Sequence, residues 1–457
     1  MKYTMKPINF ALGGRVRVPS DKSIAHRLLI LGAIAKGDTK IIGELEGEDV
    51  RATIRCLLRL GVKFSIDDTD TMVTVHGKGL YGLEPPFAEL DCLNSATTMR
   101  LLAGVLSAQR FDSVLTGDAS LMNRPMERII TPLTEMGAKI KSKNGHAPLY
   151  ISGQRLQRKS YHIPMQSAQV KSCLQLANLY AMGDVDKEIT GAERARNHTE
   201  VMINEMTKNG TLTGTEMKVP GDISSAMFFV VLALLHKGSY IEIEDVGINK
   251  TRIEALLVLQ SAGANIEIQP KYIENGEPVG TICTTYSTLA PFKITSDQIP
   301  QLIDEIPILA VAAAFTNGQS VFEGLNELRH KETDRIKAIV QELSKLGIDI
   351  SETEDTIIIN GTNEKELLVE ETMSLKSHGD HRIAMACTIA ASKATIPVEI
   401  QDVHCIGVSY PSFFDELRDI CVYSQYEEFE RQMRRSMGFG YGLGNKPLKP
   451  PAGHENE

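Results

Sequence analysis

The chain has 457 residues, 42% of them hydrophobic and 23% charged, with a net charge of −9 at pH 7. This suits a globular protein of two or three domains with a real core, and it excludes a disordered chain or a small stapled scaffold. The negative sign argues against a nucleic-acid binder, although a local cationic cluster can oppose it.

Met1–Phe10 is short, polar and broken by Pro7, so no secretory leader is expected. Ser20-Asp21-Lys22-Ser23-Ile24-Ala25-His26-Arg27 predicts a capped helix start, driven inward by Leu28-Leu29-Ile30-Leu31 but too short to span a bilayer. Ser23 and Arg27 are four apart and share a face. Two cations, a hydroxyl and free N–H groups at one helix N-terminus make an anion site.

A unit then repeats: amphipathic helix, apolar-Gly-apolar, short strand. It reads Leu60-Gly61-Val62, Met136-Gly137-Ala138, Ala262-Gly263-Ala264 and Leu346-Gly347-Ile348, each glycine suiting a helix C′ position, with Asn209-Gly210 as a weaker copy. A second helix type is apolar nearly all round, which predicts burial. Six such helices begin near Lys22, Asn94, Ser167, Asp222, Asp304 and Asp380, each with a polar start. Six similar α/β units around buried helices follow, their polar starts gathered on one face. Pro220-Gly221-Asp222 marks the boundary between halves 14–220 and 1–13 plus 221–425. Residues 426–457, rich in arginine, glycine and proline, read as a polar, disordered tail.

Along these helix starts the polar residues fall into sets. Asn94-Ser95-Ala96-Thr97-Thr98-Met99-Arg100 lets backbone N–H groups approach an anion closely. Pro125 suits a first helical turn and fixes Arg124, whose fork fits an oxyanion. Ser167-Ala168-Gln169 opens another buried helix with a cap and a bifunctional amide. Asp304 and Glu305 break an apolar run, where carboxylates must be capped, paired or used; a general base and an N-cap are both open readings. Lys331 and Arg335 share a helical face with Glu332 between them, and Arg382 precedes an apolar helix. Lys22, Arg27, Arg124, Lys331, Arg335 and Arg382 against Asp304 and Glu332 leave a site about four charges positive. It should take ligands with several phosphate and carboxylate groups, and cations on the two halves should repel across it until a ligand enters. There is no Walker loop, GxGxxG or His-rich metal set. The seven scattered cysteines read as buried free thiols in a reducing compartment.

SDKSIAHR, NSATTMR, NRPM, SAQVKS, RNHTE, PGDISSA, LIDEIPILAVAA, KETDRI and GDHRIAMA, in this order from about Arg15 to about Leu417, closely resemble 5-enolpyruvylshikimate-3-phosphate synthase, in its class II-like branch. The resemblance implies an α/β fold of two similar globular domains, each of three βαβαββ units around buried helices. It implies transfer of the enolpyruvyl group of phosphoenolpyruvate to the 5-hydroxyl of 3-phosphoshikimate by addition–elimination, with phosphate released, on the shikimate pathway to chorismate and the aromatic amino acids. It assigns phosphoshikimate to Lys22, Ser23, Arg27, Ser167, Ala168, Gln169, Asp304 and Lys331. It assigns phosphoenolpyruvate to Lys22, Asn94, Ala96, Arg124, Gln169, Arg335 and Arg382. Asp304 would be the base, with Glu332 and Lys22 delivering a proton to the methylene. No metal or cofactor is expected, because the cations already fill that electrostatic role. A cytoplasmic monomer with small anionic substrates, and no membrane or nucleic-acid partner, is expected.

Some positions depart from the family pattern. Ala96 and Leu93 replace usual glycines, Ala195 replaces a serine before the RDHTE-like stretch, Val408 stands where some members have a lysine, and Glu327 where some have an asparagine. The methyl of Ala96 should crowd glyphosate, which in this family occupies the phosphoenolpyruvate pocket, so insensitivity is expected. The sister UDP-N-acetylglucosamine enolpyruvyl transferases have Lys-Asn in place of Lys22-Ser23 and a cysteine in the loop before Arg124, which residues 112–123 lack.

Overall fold

Each of the four apolar-Gly-apolar repeats ends a helix. Helices Glu48–Arg59, Glu127–Glu135, Glu254–Ser261 and Arg335–Lys345 stop one residue before Leu60, Met136, Ala262 and Leu346 are passed, and Gly61, Gly137, Gly263 and Gly347 follow with φ of 79°, 98°, 95° and 80°. Only a residue without a Cβ enters that region freely. Asn209-Gly210 is instead the two-residue turn of a hairpin between Thr207–Lys208 and Thr211–Leu212, with φ positive at both positions. The computed structural model describes residues 1–67, 71–164, 166–183, 188–363, 365–371 and 373–436.

The apolar helices are Lys22–Ile34, Ala96–Leu106, Ala168–Asn178, Ile223–Leu235, Ile306–Ala314 and His381–Ala391. The Ile223–Leu235 and Ile306–Ala314 helices are buried at every residue, as helices apolar on all sides must be. Around them one strand pattern recurs. Lys36–Ile42 lies antiparallel to Met72–Lys78, which pairs with Lys63–Ile66, and Glu216–Lys218 adds a parallel edge. Asp112–Thr116 repeats this with His146–Ser152, Lys139–Lys143 and the parallel Leu90–Asp91. Tyr240–Gly247 and Gln319–Phe322 repeat it again, with parallel partners Gly13–Arg17 and Lys293–Ile294. The last unit pairs Met373–Lys376 parallel to Val398–Gln401, which takes the N-terminal Lys2–Met5 as its antiparallel neighbour.

Two clusters of buried side chains result. One spans Ile24 to Val219; the other joins Met5–Val16 to Ile223–Ile420. Because Gly13–Arg17 pairs with Tyr240–Gly247 and Val16 enters the second cluster, the first crossing lies after Arg17, not at residue 14. The second crossing runs beside it: Asp21 N–H donates to Pro220 O and Asp222 N–H to Pro19 O, both at 2.8 Å. The helix Phe413–Ser436 continues well past residue 425, so the start of the expected disordered tail is helical. The rest of that tail lies outside the described residues. All seven cysteines are free and six are buried. No helix among the described residues is long and apolar enough to cross a membrane.

Candidate active site

The crossings bring the polar helix starts together. Asp21, Ser95, Ser167, Asp222 and Asp380 each accept a backbone N–H as an N-cap. The Ile306–Ala314 helix has no side-chain cap; Glu305 occupies its N-cap position and Asp304 precedes it. Between the two clusters lies a cleft of about 930 Å³, counting the part open to solvent. Ten Lys and Arg side chains and five Asp and Glu line it, leaving it about five charges positive.

Of the residues expected at the site, Lys22, Ser23, Arg27, Ala96, Arg124, Ala168, Gln169, Asp304, Lys331, Glu332, Arg335 and Arg382 line this cleft. Asn94 and Ser167 do not. Asn94 Oδ1 accepts from Arg124 Nη2 at 2.6 Å while its Nδ2 donates to Asp118 at 2.7 Å, so it orients Arg124. Ser167 is spent as the cap of its helix, accepting from Val170 N–H. Arg27 is less open than expected: its three nitrogens donate to Thr199 Oγ1, Ser23 O and Ser172 Oγ, each at 2.8 Å. These partners are neutral, and the carboxylates of Asp21, Glu200 and Glu277 act on its charge from further off. Leu93 holds φ 51°, a left-handed backbone that explains why glycine is usual there. Gly104 lets helices Ala96–Leu106 and Ala168–Asn178 meet, since a Cβ there would sit 2.2 Å from Cys173 O.

Asp304 is the electrostatic centre. Its carboxylate is bonded by Arg196 Nη2, and Arg335, Arg382 and Lys331 stand at 3.4, 3.7 and 4.0 Å. Burial alone would raise this carboxyl, but Arg382, Arg196, Lys331 and Arg335 hold it well below the usual carboxylate range. Glu332 is likewise held down against burial by Arg335, 2.7 Å away, and Arg124, 3.7 Å away, so it is ionised. Burial brings the Lys331 ammonium down to about 8, against the pull of Asp304. Arg335 is anchored by Asp380 at 2.7 Å, and Lys22 by Asp49 at 3.0 Å. Glu305, the neighbouring carboxylate, is structural: Ser224 donates to it beside Arg252, which also bridges Asp21 and Asp222 across the crossings.

Sequence reasoning passed over several of these groups. Arg100, Arg128, Arg196, Asp49 and His381 all line the cleft. Arg100, Arg196 and His381 lie inside the family-like motifs NSATTMR, RNHTE and GDHRIAMA; Arg128 and Asp49 gave no signal beyond their charge. His381 is buried, with Nε2 unpartnered, and burial beside Arg382 and Lys22 keeps its imidazole neutral. Nor do the walls simply repel. Arg128, Arg194 and Arg196 from one side pair with Glu327, Asp297 and Asp304 from the other. No group of three or more metal-ligating side chains occurs among the described residues.

The profile of the EPSP synthase (3-phosphoshikimate 1-carboxyvinyltransferase) family matches residues 8–417. The 3-phosphoshikimate 1-carboxyvinyltransferase of Shouchella clausii is 42% identical over 438 residues, covering 92% of this chain and all of that one. That of Legionella pneumophila is 41% identical, covering 90% and 96%. An EPSP synthase structure from Acinetobacter baumannii superposes with a TM-score of 0.79 at 41% identity, covering 92% and 98%. The enolpyruvyl transferase NikO from Streptomyces tendae, 14% identical over 91% and 96% of the two chains, shares the fold with a TM-score of 0.72.

Proposed function

The chain belongs to the EPSP synthase family, and from that premise we infer how its cleft divides the work. The reaction is transfer of the enolpyruvyl group of phosphoenolpyruvate to 3-phosphoshikimate in the shikimate pathway. The observation that carries the division of roles is the convergence on Asp304 of cations from both sides of the cleft.

In this reading Lys22, Ser23, Arg27 and Lys331 hold the phosphate and hydroxyls of phosphoshikimate, with Ala168 and Gln169 beside its ring and Ser167 setting that helix start. Arg124, Arg335 and Arg382 hold phosphoenolpyruvate, with Ala96 against it and Asn94 steadying Arg124. Asp304 takes the proton of the acceptor hydroxyl as its oxygen bonds to the enol carbon. Lys22 or Glu332 supplies a proton to the methylene; Glu332, ionised in the free cleft, must first gain one. In elimination the methyl gives back a proton and the bond to phosphate breaks, with the leaving charge met by fixed guanidinium groups. The enzyme acts as a cytoplasmic monomer on small anions, its two halves hinging at the paired crossings. Ala96 makes it insensitive to glyphosate.

The test is phosphate release with purified enzyme. Release should need both substrates together. Release with UDP-N-acetylglucosamine in place of phosphoshikimate, or none at all, would overturn the reading.

A further inference from the structure

Arg196 joins two groups that opposite sides of the cleft contribute. Its Nη1 donates to Ser23 Oγ at 3.1 Å, and its Nη2 donates to Asp304 Oδ2. Ser23 is where the proposed reading puts the acceptor's phosphate, and Asp304 is its base. Arg27 lies close enough behind Ser23 that Arg196 lowers its affinity for a proton, so these two guanidinium groups flank one spot. An anion seated there would be held by both.

Asp304 is over-supplied with cations. Arg196, Arg335, Lys331 and Arg382 surround it, Arg252 lies further off, and the nearby carboxylates Glu332 and Glu305 are taken by Arg335 and Ser224. A carboxylate so loaded is a poor acceptor for a hydroxyl proton. The four close cations are not equally free to leave. Arg335 also serves Asp380 and Glu332. Arg382 is also fixed to the Asp304 carbonyl at 3.2 Å. Arg196 shares itself only between Asp304 and a neutral hydroxyl among the described contacts. It can leave without stranding another carboxylate, because Arg335, Arg382 and Lys331 remain at Asp304.

We propose that Arg196 is a positioning residue that exchanges ligands, leaving Asp304 for the phosphate of the bound acceptor and so freeing Asp304 to act as base. The proposal rests on the reading that phosphoshikimate's phosphate binds at Ser23. Once the exchange has occurred, the acceptor's O–H proton passes to the vacated Asp304 oxygen as the O–C bond forms. Before it, the base is blocked, and phosphoenolpyruvate bound alone is protected from attack by water.

The experiment is carboxyl carbon NMR of the full chain labelled at aspartate, with the Asp304 signal assigned by Asp304→Asn and phosphoshikimate binding measured by calorimetry. In the free wild type, Asp304 should stay ionised to the lowest pH the fold tolerates. Phosphoshikimate should raise its titration midpoint by about one unit or more, as losing a neighbouring cation does, and shikimate without phosphate should not. In Arg196→Gln the free enzyme should already show the raised midpoint, and phosphoshikimate should add much less. A bound dianion would by itself raise the midpoint equally in both proteins, so equal responses overturn the exchange. Arg196→Lys, which keeps the charge, should retain part of the wild-type response and guards against a misfolded glutamine variant. Wild type that binds phosphoshikimate with no change at Asp304 sinks the exchange alone. Wild type that does not bind it sinks the functional reading and the exchange together.

Discussion

Arg128 and Glu327 meet across the cleft as a two-pronged ion pair, Nη1 to Oε2 at 2.8 Å and Nη2 to Oε1 at 3.3 Å. They come from opposite buried clusters, so the pair bears directly on closure. Arg128, Lys331 and Arg100 hold the Glu327 carboxyl below its usual range, although burial opposes them. A depressed carboxylate contributes stability above its unfolded pKa and loses it as pH falls through the folded value. The latch should therefore hold at neutral pH and fail only below about pH 4.3. Glu327→Arg should open the ligand-free enzyme at neutral pH. The pair is partly exposed, so its loss should be worth about 1 kcal/mol after solvent screening. Small-angle scattering would read this as a larger radius of gyration that shrinks when both substrates are added. An unchanged ligand-free profile would show that the pair does not hold the halves.

Asp304→Asn should keep substrate binding and lose turnover by about 10²–10⁴-fold, the usual worth of a general base. Removing its charge also unbalances Arg196, Arg335, Lys331 and Arg382, so the anionic substrates should bind no more weakly and even tighter. Steady-state kinetics separate the two effects. A variant within a few-fold of wild-type kcat removes Asp304 from the chemistry.

Lys331 adds a basic limb. Its ammonium titrates at about 8, so as pH rises through that value the free enzyme loses a positive charge from the cleft. The kcat/KM for phosphoshikimate should fall there. In the bound complex the phosphate favours the ammonium, so the limb in kcat should lie higher. Lys331→Arg should remove it, since a guanidinium stays charged. A wild-type kcat/KM that is flat through this range would mean that Lys331 does not bind the acceptor.

Ala96 is the first residue of its helix, is buried and lines the cleft. Overfilling a tight site costs about 1–3 kcal/mol, or about ten- to a hundredfold in binding. Glyphosate, longer than phosphoenolpyruvate, should bear most of that. Ala96→Gly should lower the glyphosate inhibition constant relative to the phosphoenolpyruvate Michaelis constant. If their ratio does not fall, the methyl is not what excludes the inhibitor.

Truncation after residue 425 should leave activity within about twofold, because buried contacts and not chain length decide tolerance. Ser424 Oγ accepts from Gly13 N–H at 2.9 Å, and Ile420 and Tyr423 pack where a Gly14 side chain would go. These contacts stay in the shortened chain. Truncation after Asp419 removes them and should lower the melting temperature. A soluble 1–425 enzyme with sharply reduced kcat would give the end of the chain a role in catalysis.

Features that depend on neighbours along the chain were legible before the fold was known. Helix caps at Asp21, Asp222 and Asp380, glycines at the C′ positions and helices apolar on every side follow from contacts within one turn, and periodicity records them. The ordered motifs then fixed the chemical class. Which charge meets which came from the packing of distant segments. Arg196 and Asp304 are 108 residues apart, Arg128 and Glu327 199 apart, and no local pattern pairs them. A tally of charges gave the right sign for the cleft but the wrong picture of its walls: cations expected to repel are matched by carboxylates opposite. The resemblance set Asn94 beside phosphoenolpyruvate, and in the fold its Oδ1 accepts from Arg124. Asn209-Gly210 shows the same limit, since a left-handed pair suits a helix end or a hairpin turn, and the strands on either side chose the turn. Spacing can place a charged side chain on a helix face, but its partner comes from a distant segment that only the packed fold brings within range.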